Sequence, residues 1–275
     1  VNARPLGVWL VENGYCADEK EAAALVMAGE ALLNDRPAKA GDRVGAKDKV
    51  RLRRPPLPYA AKGGLKLEGA LARFGVSVQG RVCLDAGAST GGFTDCLLRH
   101  GAQRVYAVDV GYGQLRGSLR QDGRVVNLER TNIASPALLK LEPVPSLGCC
   151  DLSYLSLRKA IPLYREILRG RGEVVALVKP LFEVDDAQAR RSGNLPPDAY
   201  EPMLTGLTGY LNALEGVRVR GLCESPVTGN AGTVEFFLHV GLGGSGAPVP
   251  LENEIARSVE EALKTQPYRK EAQTG

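Results

Sequence analysis

The sequence predicts an α/β protein: a doubly wound sheet of seven strands covered by helices, preceded by a small α+β module. Three observations predict it. Short apolar runs at 82–84, 105–108, 125–128, 147–152, 174–178, 217–223 and 234–240 alternate with helical patterns, as in a mostly parallel sheet buried on both faces. The first run leads into a glycine-rich turn, Asp85-Ala-Gly-Ala-Ser-Thr-Gly-Gly-Phe-Thr94, at the place where such sheets bind ligands. Upstream, Pro55-Pro-Leu-Pro58 is too stiff for a helix or a central strand to pass through it, so it marks a boundary.

In the N-terminal module, Leu6–Gly14 reads as a short amphipathic helix stopped by Gly14. Asp18–Gly29 reads as a second helix, with acids in its first turn to offset the helix dipole and Gly29 as its end. Ala31–Asp35, a turn and a strand over Asp48–Arg54 follow. Lys47, Lys49, Arg51 and Arg53 fall at alternate positions and share one face, leaving Val50 and Leu52 on the other. Such a face suits phosphate binding; it equally suits a solvated edge strand defended by charge. The helix pair ending Met27-Ala-Gly-Glu30, then a strand and turn with Asn34, resembles the RNA-binding S-four-like fold, first known from a small-subunit ribosomal protein. The departure is Asn34-Asp35-Arg36, where that family usually has Asn-Gly. The expected division is 1–54 for this module, 55–60 for a Pro-rich linker, 61–265 for a catalytic domain and 266–275 for a polar tail.

In the glycine-rich turn, Gly87, Gly91 and Gly92 let the backbone approach a ligand, beside the helix that opens with the amphipathic segment Phe93–Leu98. The run Arg104–Asp109 ends in a second carboxylate about twenty residues on, where such folds grip a ribose diol. Ser89 replaces the second glycine of the dinucleotide fingerprint, which argues against a nicotinamide-dependent oxidoreductase. The order Asp-x-Gly-x-Ser-x-Gly-Gly resembles instead the first motif of S-adenosylmethionine methyltransferases of the FtsJ and TlyA type.

Polar residues mark the strand ends. Asp151 ends the fourth run and Lys179 the fifth; Glu235 stands near the start of the seventh, and Lys66 lies in Lys62-Gly-Gly-Leu-Lys-Leu-Glu, a helix opening after two glycines. Singly, each has a plain reading: solvated lysines, an aspartate capping the helix near Ser156, a glutamate on an edge strand. Together, Lys66, Asp151, Lys179 and Glu235 resemble the tetrad of FtsJ-like ribose 2′-O-methyltransferases. Lys62-Gly-Gly-Leu-Lys-Leu67, Asp151-Leu-Ser-Tyr-Leu-Ser-Leu157 and Val178-Lys-Pro-Leu-Phe-Glu183 resemble the TlyA family specifically, over nearly the whole chain.

That resemblance implies a Rossmann-like methyltransferase sheet with an antiparallel last strand. It also implies S-adenosylmethionine as cofactor and cytidine in ribosomal RNA, or in ribosomal subunits, as substrate. Gly87, Ser89, Gly91, Gly92, Phe93 and Thr94 would surround the methionine part, Asp109 the ribose hydroxyls and Asn132 the adenine. Asp85 would order the loop or meet the cofactor amine. Lys179 is expected beside the attacking hydroxyl, oriented by Asp151 and Glu235, with Lys66 steadying ribose or phosphate. Lys66 would lower the pKa of Lys179 while the two carboxylates would raise it, and the sequence leaves the balance open. Arg190 and Arg191, in a charged loop at 185–194, are RNA-contact candidates or parts of a solvated loop. Tyr154 could stack on a base or sit in the core, and His239 reads as a satisfied strand histidine.

Composition sets the outer bounds. The chain has 275 residues, 44% of them hydrophobic and 24% charged, with net charge +4, ordinary for a globular protein. No apolar run approaches the roughly twenty residues of a membrane span, and no charged-then-apolar leader is read, so no membrane partner and a cytoplasmic location are expected. Val1 in place of Met is read as a sign of processing or trimming. Six cysteines form no C-x-x-C pair and no spaced set with histidine, so neither a metal site nor a disulfide framework is expected. No obligate protein partner is implied. A membrane-active haemolysin, a name carried by TlyA-like proteins, and a non-catalytic RNA-binding protein are the weaker alternatives.

Overall fold

The apolar runs of the larger part of the chain pair into one seven-stranded sheet. The computed structural model describes residues 3–16, 18–53, 58–193, 195–229, 232–244 and 249–265; half of the predicted Pro-rich linker (55–57) and the whole predicted tail (266–275) lie outside them. The chain divides into two units, Val1–Pro58 and Tyr59–Gly275.

In the larger unit the strands are β1 (Val82–Ala86), β2 (Arg104–Val108), β3 (Val125–Leu128), β4 (Leu147–Cys150), β5 (Gly172–Val178), β6 (Val217–Glu224) and β7 (Phe236–Leu242). Their spatial order is β6-β7-β5-β4-β1-β2-β3. β7 runs antiparallel to both its neighbours, and the other pairs are parallel. From β1 the chain winds outward to β3 on one side, then returns to β4 on the other. The order reverses between β1 and β4, and a crevice opens there beyond the strands' carboxyl ends.

The helices are α1 (Gly63–Phe74), α2 (Gly92–Arg99), α3 (Gly117–Gln121), α4 (Leu157–Ile167), α5 (Pro180–Glu183), α6 (Ala187–Ser192), α7 (Tyr200–Ala213) and α8 (Glu252–Lys264). Alternate residues of each strand feed two separate cores. Leu84, Tyr106, Cys150 and Ala176 face the cluster containing Ile161, Leu204 and Ile255, while Cys83, Val105, Cys149 and Val175 face the one containing Leu67, Leu71 and Leu97. This two-sided burial is why the strands read as continuous apolar runs rather than alternating ones.

Several boundaries move. The fourth strand stops at Cys150 and the seventh begins only at Phe236, which leaves Asp151 and Glu235 just outside the sheet at the same edge. Gly63 and Gly64 lie inside the first turn of α1 rather than before it. A side chain on Gly64 would meet the Tyr59 ring at 2.3 Å, and one on Gly92 would come 3.1 Å from the Gly64 nitrogen. α1 and α2 thus approach backbone to backbone. The amphipathic segment 93–98 is buried throughout, its polar Thr94 and Asp95 included, because α2 is wedged between α1 and the sheet. The expected loop at 185–194 contains α6.

In the smaller unit, helices Leu6–Glu12 and Glu19–Met27 pack Leu6, Leu10, Ala22 and Val26 against Ala31, Leu33 and Val44. Asp18 caps the second helix by accepting the Glu21 N–H at 2.8 Å. A three-stranded sheet places Ala31–Leu33 between Arg36–Pro37 and Val50–Leu52. Asn34 and Asp35 both adopt positive φ, 53° and 63°, the left-handed pair that a two-residue hairpin turn requires. Asp35 in place of glycine therefore keeps the turn. Lys47, Lys49, Arg51 and Arg53 are all exposed, with Val50 and Leu52 turned partly inward, although the strand itself is only Val50–Leu52. Arg51 already bonds Asp35 at 2.7 Å.

Candidate active site

A cleft of about 240 Å³ opens at the reversal of strand order, lined by Ala61, Lys62, Gly63, Lys66, Gly87–Thr90, Gly92, Phe93, Asp151, Lys179 and Glu235. Four distant segments deliver its charged groups. Lys66 comes from the second turn of α1, Asp151 follows β4, Lys179 follows β5, and Glu235 precedes β7. The antiparallel run of β7 decides the last of these: its start, not its end, lies at the edge where β4 and β5 finish.

The charges form two ion pairs. Lys66 bonds Glu235, with both side chains buried at 5% and 6% exposure. Lys179 bonds Asp151 in a more open position, at 20% and 27%, and also donates to Ser153 Oγ at 3.1 Å. Glu235 therefore braces Lys66, whereas the sequence suggested that it would orient Lys179. Burial raises the Glu235 pKa, against the pull of Lys66.

The glycine loop is set by positive φ at Gly87, Ser89 and Gly91 (85°, 47° and 100°). Ser89 holds this uncommon conformation through two bonds: its N–H donates to Asp109 Oδ2 at 2.8 Å, and its hydroxyl donates to Gln114 at 3.1 Å. A side chain on Gly87 would collide with the Asp151 carbonyl at 2.4 Å. Gly91 does not line the cleft; its missing side chain makes room for Leu119 and Leu115, which a Cβ would meet at 2.2 and 2.9 Å.

Asp85 is fully buried at the root of the loop. Thr94 donates to its Oδ2 at 2.6 Å, and Oδ1 has no partner. Burial pushes its pKa up to about 7, with the Thr94 hydroxyl opposing. Asp109 lies outside the cleft lining and accepts backbone N–H groups on both oxygens, from Ser89 and from Gly111 at 2.6 Å. Asn132 is exposed and caps its own turn by accepting the Ala134 N–H at 2.9 Å. Of the proposed cofactor residues, Gly87, Ser89, Gly92 and Phe93 reach the cleft, while Asp85, Gly91, Thr94, Asp109 and Asn132 do not.

The sequence profile of the FtsJ-like methyltransferase family matches residues 59–242, the stretch that carries this loop and all four charged residues. The chain belongs to that family. Among FtsJ-like relatives, Bacillus subtilis YqxC is 42% identical over 94% of both chains. Mycobacterium tuberculosis 16S/23S rRNA (cytidine-2′-O)-methyltransferase TlyA is 39% identical over 83% of this chain and 86% of its own. A solved Streptococcus thermophilus structure carrying a hemolysin name is 35% identical, covers 95% of this chain and 96% of its own, and superposes with a TM-score of 0.72.

The remaining motif residues of this FtsJ-like chain have structural partners. Glu183 accepts from the Ser156 hydroxyl at 2.6 Å and the Leu157 N–H at 2.7 Å. It thereby joins the cap of α4 that the sequence offered to Asp151, and burial raises its pKa. His239 meets Glu173 at 2.7 Å and is a satisfied strand histidine. Tyr154 is 90% exposed, not core, with φ 64° and its ring 5.0 Å from that of Phe182. Arg190 donates to the Val184 carbonyl at 2.7 Å and Asp185 at 3.3 Å, and Arg191 is exposed on the same helix. Among the described residues no His/Cys/Asp/Glu group could hold a metal ion, and no helix is long and apolar enough to cross a membrane.

Sequence reasoning overlooked Lys62 as a site residue. It lines the cleft beside Gly63, half-buried. The signal was its place in Lys62-Gly63-Gly64, next to a helix turn that must lie flat against the glycine loop.

Proposed function

We propose that this protein transfers a methyl group from S-adenosylmethionine to the ribose 2′-hydroxyl of a cytidine in ribosomal RNA. The observation that carries the reading is the convergence of Lys66, Asp151, Lys179 and Glu235 on one cleft with the glycine loop as its wall. The residues present fit the cofactor. The loop lacks side chains where a ligand would rest, an orphan carboxylate oxygen lies at its root, and paired carboxylates and lysines suit a zwitterion bearing a sulfonium. When bound, S-adenosylmethionine supplies an electrophilic methyl group on sulfur.

The chain's own residues supply positioning and proton handling. Gly87, Ser89, Gly92 and Phe93 would hold the methionine portion, in a loop that Asp109 ties down by accepting two backbone N–H groups. Lys179 sits beside the attacking hydroxyl and, held there by Asp151 and Ser153, would take up the proton that the hydroxyl gives up. The Lys66–Glu235 pair, too buried to move freely, fixes the far wall. Positioning of the hydroxyl by these residues would supply much of the rate.

The exposed face of Lys47, Lys49, Arg51 and Arg53, together with Arg190 and Arg191, would meet RNA phosphates. An enzyme of this kind works where ribosomal RNA is assembled, in the cytoplasm. Methylation of ribosomal RNA and subunits from an unmodified strain, followed by mapping of 2′-O-methyl positions, tests the assignment. New modification at cytidine ribose is the expected result; label on a base, or none, would refute it.

A further inference from the structure

We propose that Lys62 is the carboxylate clamp of the cleft, its ammonium binding the α-carboxylate of the methionine portion of S-adenosylmethionine. This rests on the methyltransferase reading above. The cleft is lined by three lysines, Lys62, Lys66 and Lys179, and by two carboxylates, Asp151 and Glu235. Lys66 is answered by Glu235 and Lys179 by Asp151. Among the described residues Lys62 reaches only the Thr228 carbonyl, at 3.5 Å. Among the described residues, then, one lysine of the cleft forms no ion pair of its own.

The environment of Lys62 favours an incoming anion. Burial, and then the repulsion of Lys66, lower its pKa, against the weaker pull of Glu235 and Asp151. A carboxylate beside it would offset the second influence and replace water lost to the first. Its position selects which anion. Lys62 immediately precedes the first turn of α1, and that turn is pressed onto the glycine loop. A Cβ on Gly63 would lie 3.5 Å from the Phe93 ring, and one on Gly92 would lie 3.3 Å from the Gly63 Cα. Lys62 thus belongs to the wall where the methionine portion rests. The α-carboxylate is the cofactor's anionic group and enters that wall in every turnover.

Calorimetry on the full chain tests the clamp with S-adenosylmethionine, S-adenosylhomocysteine and decarboxylated S-adenosylmethionine. Lys62→Met should weaken the first two by about tenfold to a hundredfold, the range of a hydrogen bond to a charged group, and leave the third unchanged. The wild type should prefer the carboxylate-bearing ligands by a similar factor. Equal losses for all three ligands would mean that Lys62 merely shapes the cleft and would overturn the proposal. Unchanged affinity for all three with weaker RNA binding would overturn it in favour of a phosphate contact. Wild-type protein that binds none of the ligands would instead sink the methyltransferase reading beneath it. Should Lys62→Met fail to fold, Lys62→Gln and the wild-type preference carry the same test.

Discussion

At the amino end of the sheet, Glu173 gathers basic side chains: His239 at 2.7 Å, Arg220 at 3.3 Å and Arg81, which bonds its other oxygen. At the carboxyl end, each of two carboxylates holds one lysine, beside a cleft. The residue types are alike and the consequences opposite. The hydrogen bond from His239 and then those from Arg81 hold Glu173 down to about 2, so it is a fixed charge that ties β5, β7 and the entry to β1 together. Glu235, raised by burial, is closer to losing its charge. A cluster of charged residues is thus no evidence of chemistry by itself. Its place at the reversal of strand order, with room for a ligand, makes the difference.

The comparison breaks most sharply at Lys179. Lys179→Ala should lower the rate of methyl transfer by about a hundredfold to ten-thousandfold, the usual reach of acid–base and positioning groups. Binding of S-adenosylmethionine and RNA should persist, since the lost contact acts mainly in the transition state. Lys179→Arg should fail as well, because guanidinium does not release its proton near neutrality. Single-turnover kinetics decide; near-normal rates in the arginine variant would reduce the role of Lys179 to its charge.

Stability should fall most at the buried pair. Lys66→Met strands Glu235 in an apolar surround and should cost about 3–5 kcal/mol, read by urea unfolding. Adding Glu235→Leu should return most of that stability but none of the activity. A double variant as unstable as the single one would show that packing, not the orphaned charge, is the cause.

A smaller effect, with its own pH signature, belongs to the amino end. In the folded protein Glu173 is held down to about 2, below its ordinary 4.5. Its contribution is therefore full above about 4.5 and is lost as pH falls toward 2. Glu173→Gln should cost about 1–2 kcal/mol at neutral pH, after allowance for solvent screening, and should flatten the acid limb of the stability curve. Turnover should not change. Glu235, shifted upward, has the opposite sign: its contribution is present at low pH and is lost as pH rises through its folded pKa. A Glu173→Gln variant that lost activity without losing stability would erase the contrast between the two ends.

The mildest change is expected in the smaller unit. Lys49→Glu with Arg51→Glu should weaken RNA binding and lower the salt slope by about one per lost phosphate contact, with cofactor affinity intact. Arg51 is already engaged by Asp35, so Lys49 should account for more of the loss. Filter binding across a salt series measures it, and an unchanged slope would make this face a solvated one.

Much of the architecture was legible in the sequence because two-sided burial writes itself as apolar runs, and because polar residues at strand ends must collect at one edge. The pairing of charges was not legible. Lys66 and Glu235 are 169 positions apart, and only the folded distance shows that Glu235 serves Lys66 rather than Lys179. Gly91 misled for a related reason. A glycine in a ligand-binding loop reads as room for the ligand, whereas this one makes room for Leu115 and Leu119. Helix α6 escaped because its sequence is too short and too polar to show an apolar face. Lys62 escaped because it stands at neither a strand end nor a helix interior.

The position of β7 between β5 and β6 bears on how the protein is made. While the chain is being synthesised, β6 emerges before the strand that must separate it from β5, and it has no strand to pair with until β7 slides in. Glu235 arrives with that same strand, so Lys66 waits without its counter-charge until nearly the whole sheet has left the exit tunnel. A nascent chain stopped short of β7 would therefore lack both an edge of the sheet and a wall of the cleft. Competence for catalysis would then be one of the last events of biogenesis.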